Sequence, residues 1–213
     1  RQHLNTVTDS AKKILIGKSI TKGLGAGGFP EVGAKCAEVD RPAIAQAVEG
    51  SHLVFVCAGM GGGTGTGAAP VVAQVAKEAG AIVVAMVTYP FALERARTFK
   101  ADEGIHNLRK VADTVIILDN NRLVELVPNL PMNQAFLVAD EILAKAVGGL
   151  VITITQPSLV NIDFADVKAV MGQGDVGMIA VGTGNGQSKV EDAVKGVKEN
   201  RLLDVDFAGA KGA

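Results

Sequence analysis

The residues best placed to do chemistry are a run of glycines and threonines, Gly61-Gly62-Gly63-Thr64-Gly65-Thr66-Gly67. It follows residues 53–58, LVFVCA, an apolar run without alternation that reads as a strand buried on both faces. It precedes residues 68–80, AAPVVAQVAKEAG, which combine good helix formers with a glycine stop. Strand, glycine loop and helix together carry an anion to a helix N-terminus, where unpaired N–H groups and the positive dipole end favour a phosphate. The glycines allow close backbone approach, and the two threonines add hydroxyls. A second pair of polar residues, Asp163 and Asp166, stands three apart at the start of a short helical pattern. Both carboxylates can point to one side, and Asp163 also fits an N-cap.

Several phosphate chemistries compete for the loop. A P-loop needs Gly-Lys at its end, and the first lysine after the loop is Lys77. The dinucleotide fingerprint is nearly met by Gly63, Gly65 and Ala68, but it requires an acid at the end of the next strand to hold a ribose. That strand, residues 81–87, runs into Thr88-Tyr89-Pro90 without one. A tight glycine turn with no ligand is the plain alternative. The string GGGTGTG itself resembles the nucleotide-phosphate loop of the tubulin/FtsZ family of GTPases.

The elements that must hold these residues alternate along the chain. Residues 12–16 read as a short strand, and residues 21–28, TKGLGAGG, as a second glycine loop. Residues 30–48 read as one helix with Pro30 near its start. After the central unit come a charged amphipathic helix at 94–111, a strand at 114–118 ended by Asp119-Asn120-Asn121, and a short helix at 122–127. Residues 131–155 form the longest helical pattern, apolar on more than one face, and so are expected to lie largely buried between two layers. A short helix at 164–171, a strand at 177–182 and a helix at 187–200 follow. The expected class is α/β, a parallel Rossmann-like sheet with helices on both faces.

Four more stretches share the family resemblance. Ala26, Gly27 and Gly28 sit in a loop similar to the family's γ-phosphate loop. Pro90-Phe91 with Glu94 and Arg97 resembles its ribose loop, in a form one residue shorter than usual that is associated with archaeal members. Asn120 and Asp140 fall where the family reads guanine; locally, Asn120 also fits a strand-end turn, and Asp140 needs a partner of some kind on an apolar helix. Asn161-Ile162-Asp163-Phe164-Ala165-Asp166 matches the loop NxDxxD that enters the next subunit's pocket.

The resemblance implies GTP or GDP with Mg²⁺. It places the α- and β-phosphates on residues 61–67, and has Asp163 and Asp166, with Asn161 placing the loop, orienting water onto the neighbour's γ-phosphorus. It further implies a head-to-tail homopolymer in the cytoplasm at the division site, working with membrane-tether proteins. On this basis residues 1–130 are a nucleotide-binding unit and 131–155 a central helix. Residues 156–213 carry the catalytic loop and the start of a further part. The family's first strand and first phosphate loop are expected before Arg1, and its second domain after Ala213. A dinucleotide-dependent oxidoreductase and a non-catalytic polymer relative are the rival readings.

Composition narrows the field. With 213 residues, a net charge of −1 and 4% aromatics, the chain offers no electrostatic or stacking case for nucleic acid or for an anionic membrane. No apolar segment is long enough to span a bilayer. Cys36 and Cys57 read as reduced core thiols, and His3, His52 and His106 show no metal-ligand spacing.

Overall fold

The computed structural model describes residues 12–122, 131–156, 163–172, 176–177, 182 and 184–198. Its frame is a three-stranded parallel sheet in the order β1 (Leu53–Gly59), β2 (Ile82–Tyr89), β3 (Thr114–Asp119). Before the sheet come α1 (Pro30–Val39) and α2 (Arg41–Val48). Helix α3 (Thr64–Glu78) connects β1 to β2, and α4 (Ala96–Val111) connects β2 to β3. Three more helices follow: α5 (Met132–Thr155), α6 (Phe164–Met171) and α7 (Lys189–Lys198).

Strand β2 shows how the layers form. Val83, Ala85 and Val87 join a core with Ala69, Ala73 and Ala76 of α3 and Ala101, Ile105 and Leu108 of α4. Ile82, Val84 and Met86 point the other way, into a core with Ala146 of α5, against which Phe164 and Met171 of α6 pack. Period-2 alternation thus divides one wholly apolar strand between two helical layers. A third cluster, with Ala37, Ile44, Ala68 and Val75, seats α1 and α2 on the outside of α3.

Several expectations need correction. The strand at 53–58 is not buried on both faces: β1 is the edge of the described sheet, Val56 is buried, and Cys57 is exposed. Residues 12–16 form no strand among the described residues; Ile16 packs instead against the cluster of Ala37, Ile44 and Ala68. The helix at 30–48 is two helices. Pro42 has no N–H to donate to the Glu38 carbonyl four residues back, and the Asp40 carboxylate between the helices accepts from the Gly17 N–H at 2.5 Å. The long helix α5 is not enclosed. Leu143, Ala146 and Val147 pack on the sheet, while Leu137 and Ile152 are more than half exposed. Of the strand at 177–182, Gly177 and Gly182 are described, Gly177 beside a parallel bridge from Val176 to Val115. Most of the helix at 122–127 lies outside the described residues.

Candidate functional site

Parallel pairing brings the three strand ends level. Gly59 is opposite Thr88, and Tyr89 is opposite Asp119. The glycine loop, the turn beginning at Pro90 and the buried Asn120 therefore leave the same edge of the sheet, the carboxyl edge, where open α/β sheets bind ligands.

The glycine loop is shorter than its sequence suggests. Helix α3 begins at Thr64, and Gly67 N–H already donates to the Gly63 carbonyl at 3.1 Å. The turn itself is residues 60–63. It is fixed by the Thr66 hydroxyl oxygen, which is buried and accepts from the Gly61 N–H at 2.9 Å. Thr64 is the exposed hydroxyl of the pair. Gly61 runs at φ +93°, and a Cβ there would fall 2.8 Å from both Cβ and the carbonyl oxygen of Arg97. A Cβ on Gly63 would fall 2.7 Å from the Phe29 amide nitrogen, 2.8 Å from Ala26 Cβ and 3.0 Å from the Gly28 amide nitrogen. The two glycine loops, far apart in sequence, are thus pressed backbone to backbone. Together they frame the start of α3, where first-turn N–H groups and the positive dipole end favour negative charge.

The Pro90 turn closes one side. A short 3₁₀ turn, Ala92–Glu94, is pinned by Phe91 N–H donating to Glu94 Oε1 at 3.1 Å, while Arg97 pairs with the other Glu94 oxygen at 2.5 Å. The Ala92 N–H donates to the Asn121 side chain, which also holds Asp119. So Asn121 is the strand-end turn residue, and Asn120 is buried beside it with 8% exposure. Asp140 is exposed one helical turn from Phe136, so its charge carries no burial penalty. The Phe136 ring lies 5.8 Å from that of Phe91. Sequence reasoning missed Phe136 and Lys100. The first is a lone aromatic among apolar residues. The second stands one helical turn after Arg97, and that i, i+3 spacing of cations was its available signal.

Asp163 and Asp166 form a reciprocal capping box at the start of α6. The Asp166 N–H donates to Asp163 Oδ1 at 2.9 Å, and the Asp163 N–H donates to Asp166 Oδ2 at 3.0 Å. Each carboxylate spends one oxygen on the cap, and both residues are exposed. Asn161 lies outside the described residues. The start of α6 is far from the glycine loops. Phe164 packs edge-on against His52, which immediately precedes β1, and the Thr114 hydroxyl at the start of β3 donates to the Met171 carbonyl. The helix is therefore at the amino edge of the strands, and seven residues of β1 separate that edge from the glycine loops, roughly 20 Å at about 3.3 Å per residue.

Comparison with known proteins bears on the family and the fold. The description "Tubulin/FtsZ family, GTPase domain" matches residues 1–128. Over 216 residues the chain is 59% identical to "Cell division protein FtsZ 2" of Methanocaldococcus jannaschii, covering 100% of this chain and 57% of that protein. Over 212 residues it is 53% identical to "Cell division protein FtsZ 2" of Haloferax volcanii, covering 100% and 53%. The fold superposes on the M. jannaschii structure titled "FtsZ dimer, empty" with a TM-score of 0.89 at 47% identity, over 96% of this chain and 60% of that one. The chain thus spans just over half the length of the relatives it matches. A glycine-threonine loop at a helix start, a second glycine loop pressed against it and a family match across both make one conclusion plain: the chain belongs to the tubulin/FtsZ family.

Proposed function

We propose that the protein binds GTP at the carboxyl edge of the sheet, hydrolyses it, and assembles head to tail into filaments that serve cell division. The observation that carries this reading is the separation of the two halves of the site. The glycine loops leave one edge of the sheet, while Asp163 and Asp166 cap a helix at the other. One copy cannot bring them together, but a second copy stacked on the first in the same orientation can. Repetition of a contact that does not close gives a filament.

In this reading residues 61–67 hold the α- and β-phosphates and Ala26, Gly27 and Gly28 receive the γ-phosphate. Glu94 and Arg97 face the ribose, and Asn120 and Asp140 hold the base with Phe136 stacking on it. Asp163 and Asp166, with Asn161, orient the attacking water on the neighbour's nucleotide. Phosphoryl transfer asks mainly for such positioning and for charge neutralisation, which Mg²⁺ would supply. The described residues contain no cluster of three or more His, Cys, Asp or Glu to cage a metal. The unit at 1–130, the helix at 131–155 and the loop-bearing segment at 156–213 divide these roles between pocket, spacer and donor. Location at the division site and tethering by membrane proteins follow the same reading. Among the described residues no helix is long and apolar enough to cross a membrane.

The test is GTP turnover by the full-length protein as its concentration rises. A split site gives specific activity that climbs with concentration together with sedimentable polymer. Turnover per subunit that is independent of concentration would place the whole site in one copy.

A further inference from the structure

Helix α4 carries two cations one turn apart, Arg97 and Lys100, and each meets a different glycine loop. The Arg97 backbone abuts Gly61, and its Nη2 lies 3.9 Å from the Cβ position of Gly62. The Lys100 ammonium donates to the Gly28 carbonyl at 2.6 Å, across 72 residues of chain. The same Nζ stands 5.7 Å from the centroid of the Phe29 ring. Lys100 is half-buried, although free lysines usually extend into water. Holding so long a side chain costs rotamer entropy, which its bond to the loop must offset. An ammonium has three donors, and the Gly28 carbonyl takes one.

Gly28 is also the residue whose amide lies 3.0 Å from the Cβ position of Gly63. Lys100 therefore fastens the first loop at the point where it touches the second. Resting on the guanine-nucleotide reading above, we propose that Lys100 is a positioning residue. It ties residues 26–28 to α4 and places positive charge beside the terminal phosphate, so that the site favours GTP over GDP.

The test is the affinity of full-length protein for fluorescent GTP and GDP analogues, in the wild type, Lys100→Met and Lys100→Arg. Methionine keeps the stem and removes the charge. Loss of one charge-assisted contact is expected to weaken GTP binding by about tenfold or more, with GDP changed by less than about threefold. Arginine is expected to restore most of the preference. Equal loss for both nucleotides would show that Lys100 merely supports the fold, and unchanged GTP binding would show that its charge is idle; either overturns the proposal. Wild-type protein that binds neither nucleotide overturns the guanine-nucleotide reading and this proposal with it.

Discussion

Tyr89 closes β2 just before the turn that carries Glu94, and its hydroxyl donates to Asp102 of α4 at 2.9 Å. Burial first, then the hydrogen bond to Asp102 and the negative charges of Asp102 and Asp119, push its pKa up to about 12 from 10.0. Between those values the folded chain keeps a proton that the unfolded chain has lost. Stability therefore falls as pH rises through that window and is unaffected by this group below it. The chain has one tyrosine and no tryptophan, so absorbance at 295 nm follows Tyr89 alone. We expect an ionisation step near pH 12 that moves partway down in Asp102→Asn, because burial remains. The capping box sets up a second separation. Asp166→Asn keeps an oxygen for the Asp163 N–H and removes the charge, whereas Asp166→Ala removes both. Both are expected to lower GTP turnover by about 10²-fold or more while GTP affinity stays within about twofold. Asparagine should spare the roughly 1 kcal/mol of cap stability that alanine loses, as read by thermal denaturation. A large fall in monomer GTP affinity would put Asp166 in its own pocket.

At the scale of elements, Gly148 in α5 lowers helix propensity without visible return, since a Cβ there would meet nothing within 4 Å. Gly148→Ala is expected to stabilise the fold by about 0.5–1 kcal/mol, measured by chemical denaturation. Elements whose identity rests on local pattern were legible in the sequence. Helix α6 falls at 164–171 as its periodicity predicts, and β2 and β3 fall within two residues of expectation. Tertiary effects were not legible. Helix α3 starts four residues early, inside the glycine run, because packing against β1 and α1 overrides the low helix propensity of Gly65 and Gly67. The break at Asp40 has a local cause in Pro42, which the sequence shows, and a distant one in the bond from Gly17, a partner no window around residue 40 contains. Within the site, the two glycine loops and the Asp163–Asp166 pair stood out because their spacing is itself the signal. Phe136 did not, because its nearness to Phe91 exists only after folding.

Across the whole molecule, the glycine loops and the carboxylate pair lie at opposite edges of the sheet, and the proposed split site predicts complementation between defective chains. A variant crippled in the pocket by Gly63→Val would still donate an intact Asp163–Asp166 pair. Asp166→Ala would still offer an intact pocket. Each alone should turn over little GTP, and their mixture should recover measurable hydrolysis at the interfaces that combine the two sound halves. A mixture no more active than its parts would argue against a shared site. The sheet has a consequence for synthesis as well. Its strands lie in chain order, Leu53 beside Ile82 and Val84 beside Thr114, so the two closures span 29 and 30 residues of chain (82 − 53 and 114 − 84). Loops of equal length cost nearly equal closure entropy. As the chain leaves the ribosome, each of these three strands meets the edge left by the one before, while the bridge from Val115 to Val176 waits for a later segment. Both glycine loops and all three strands are thus translated before α6, the helix that carries Asp166.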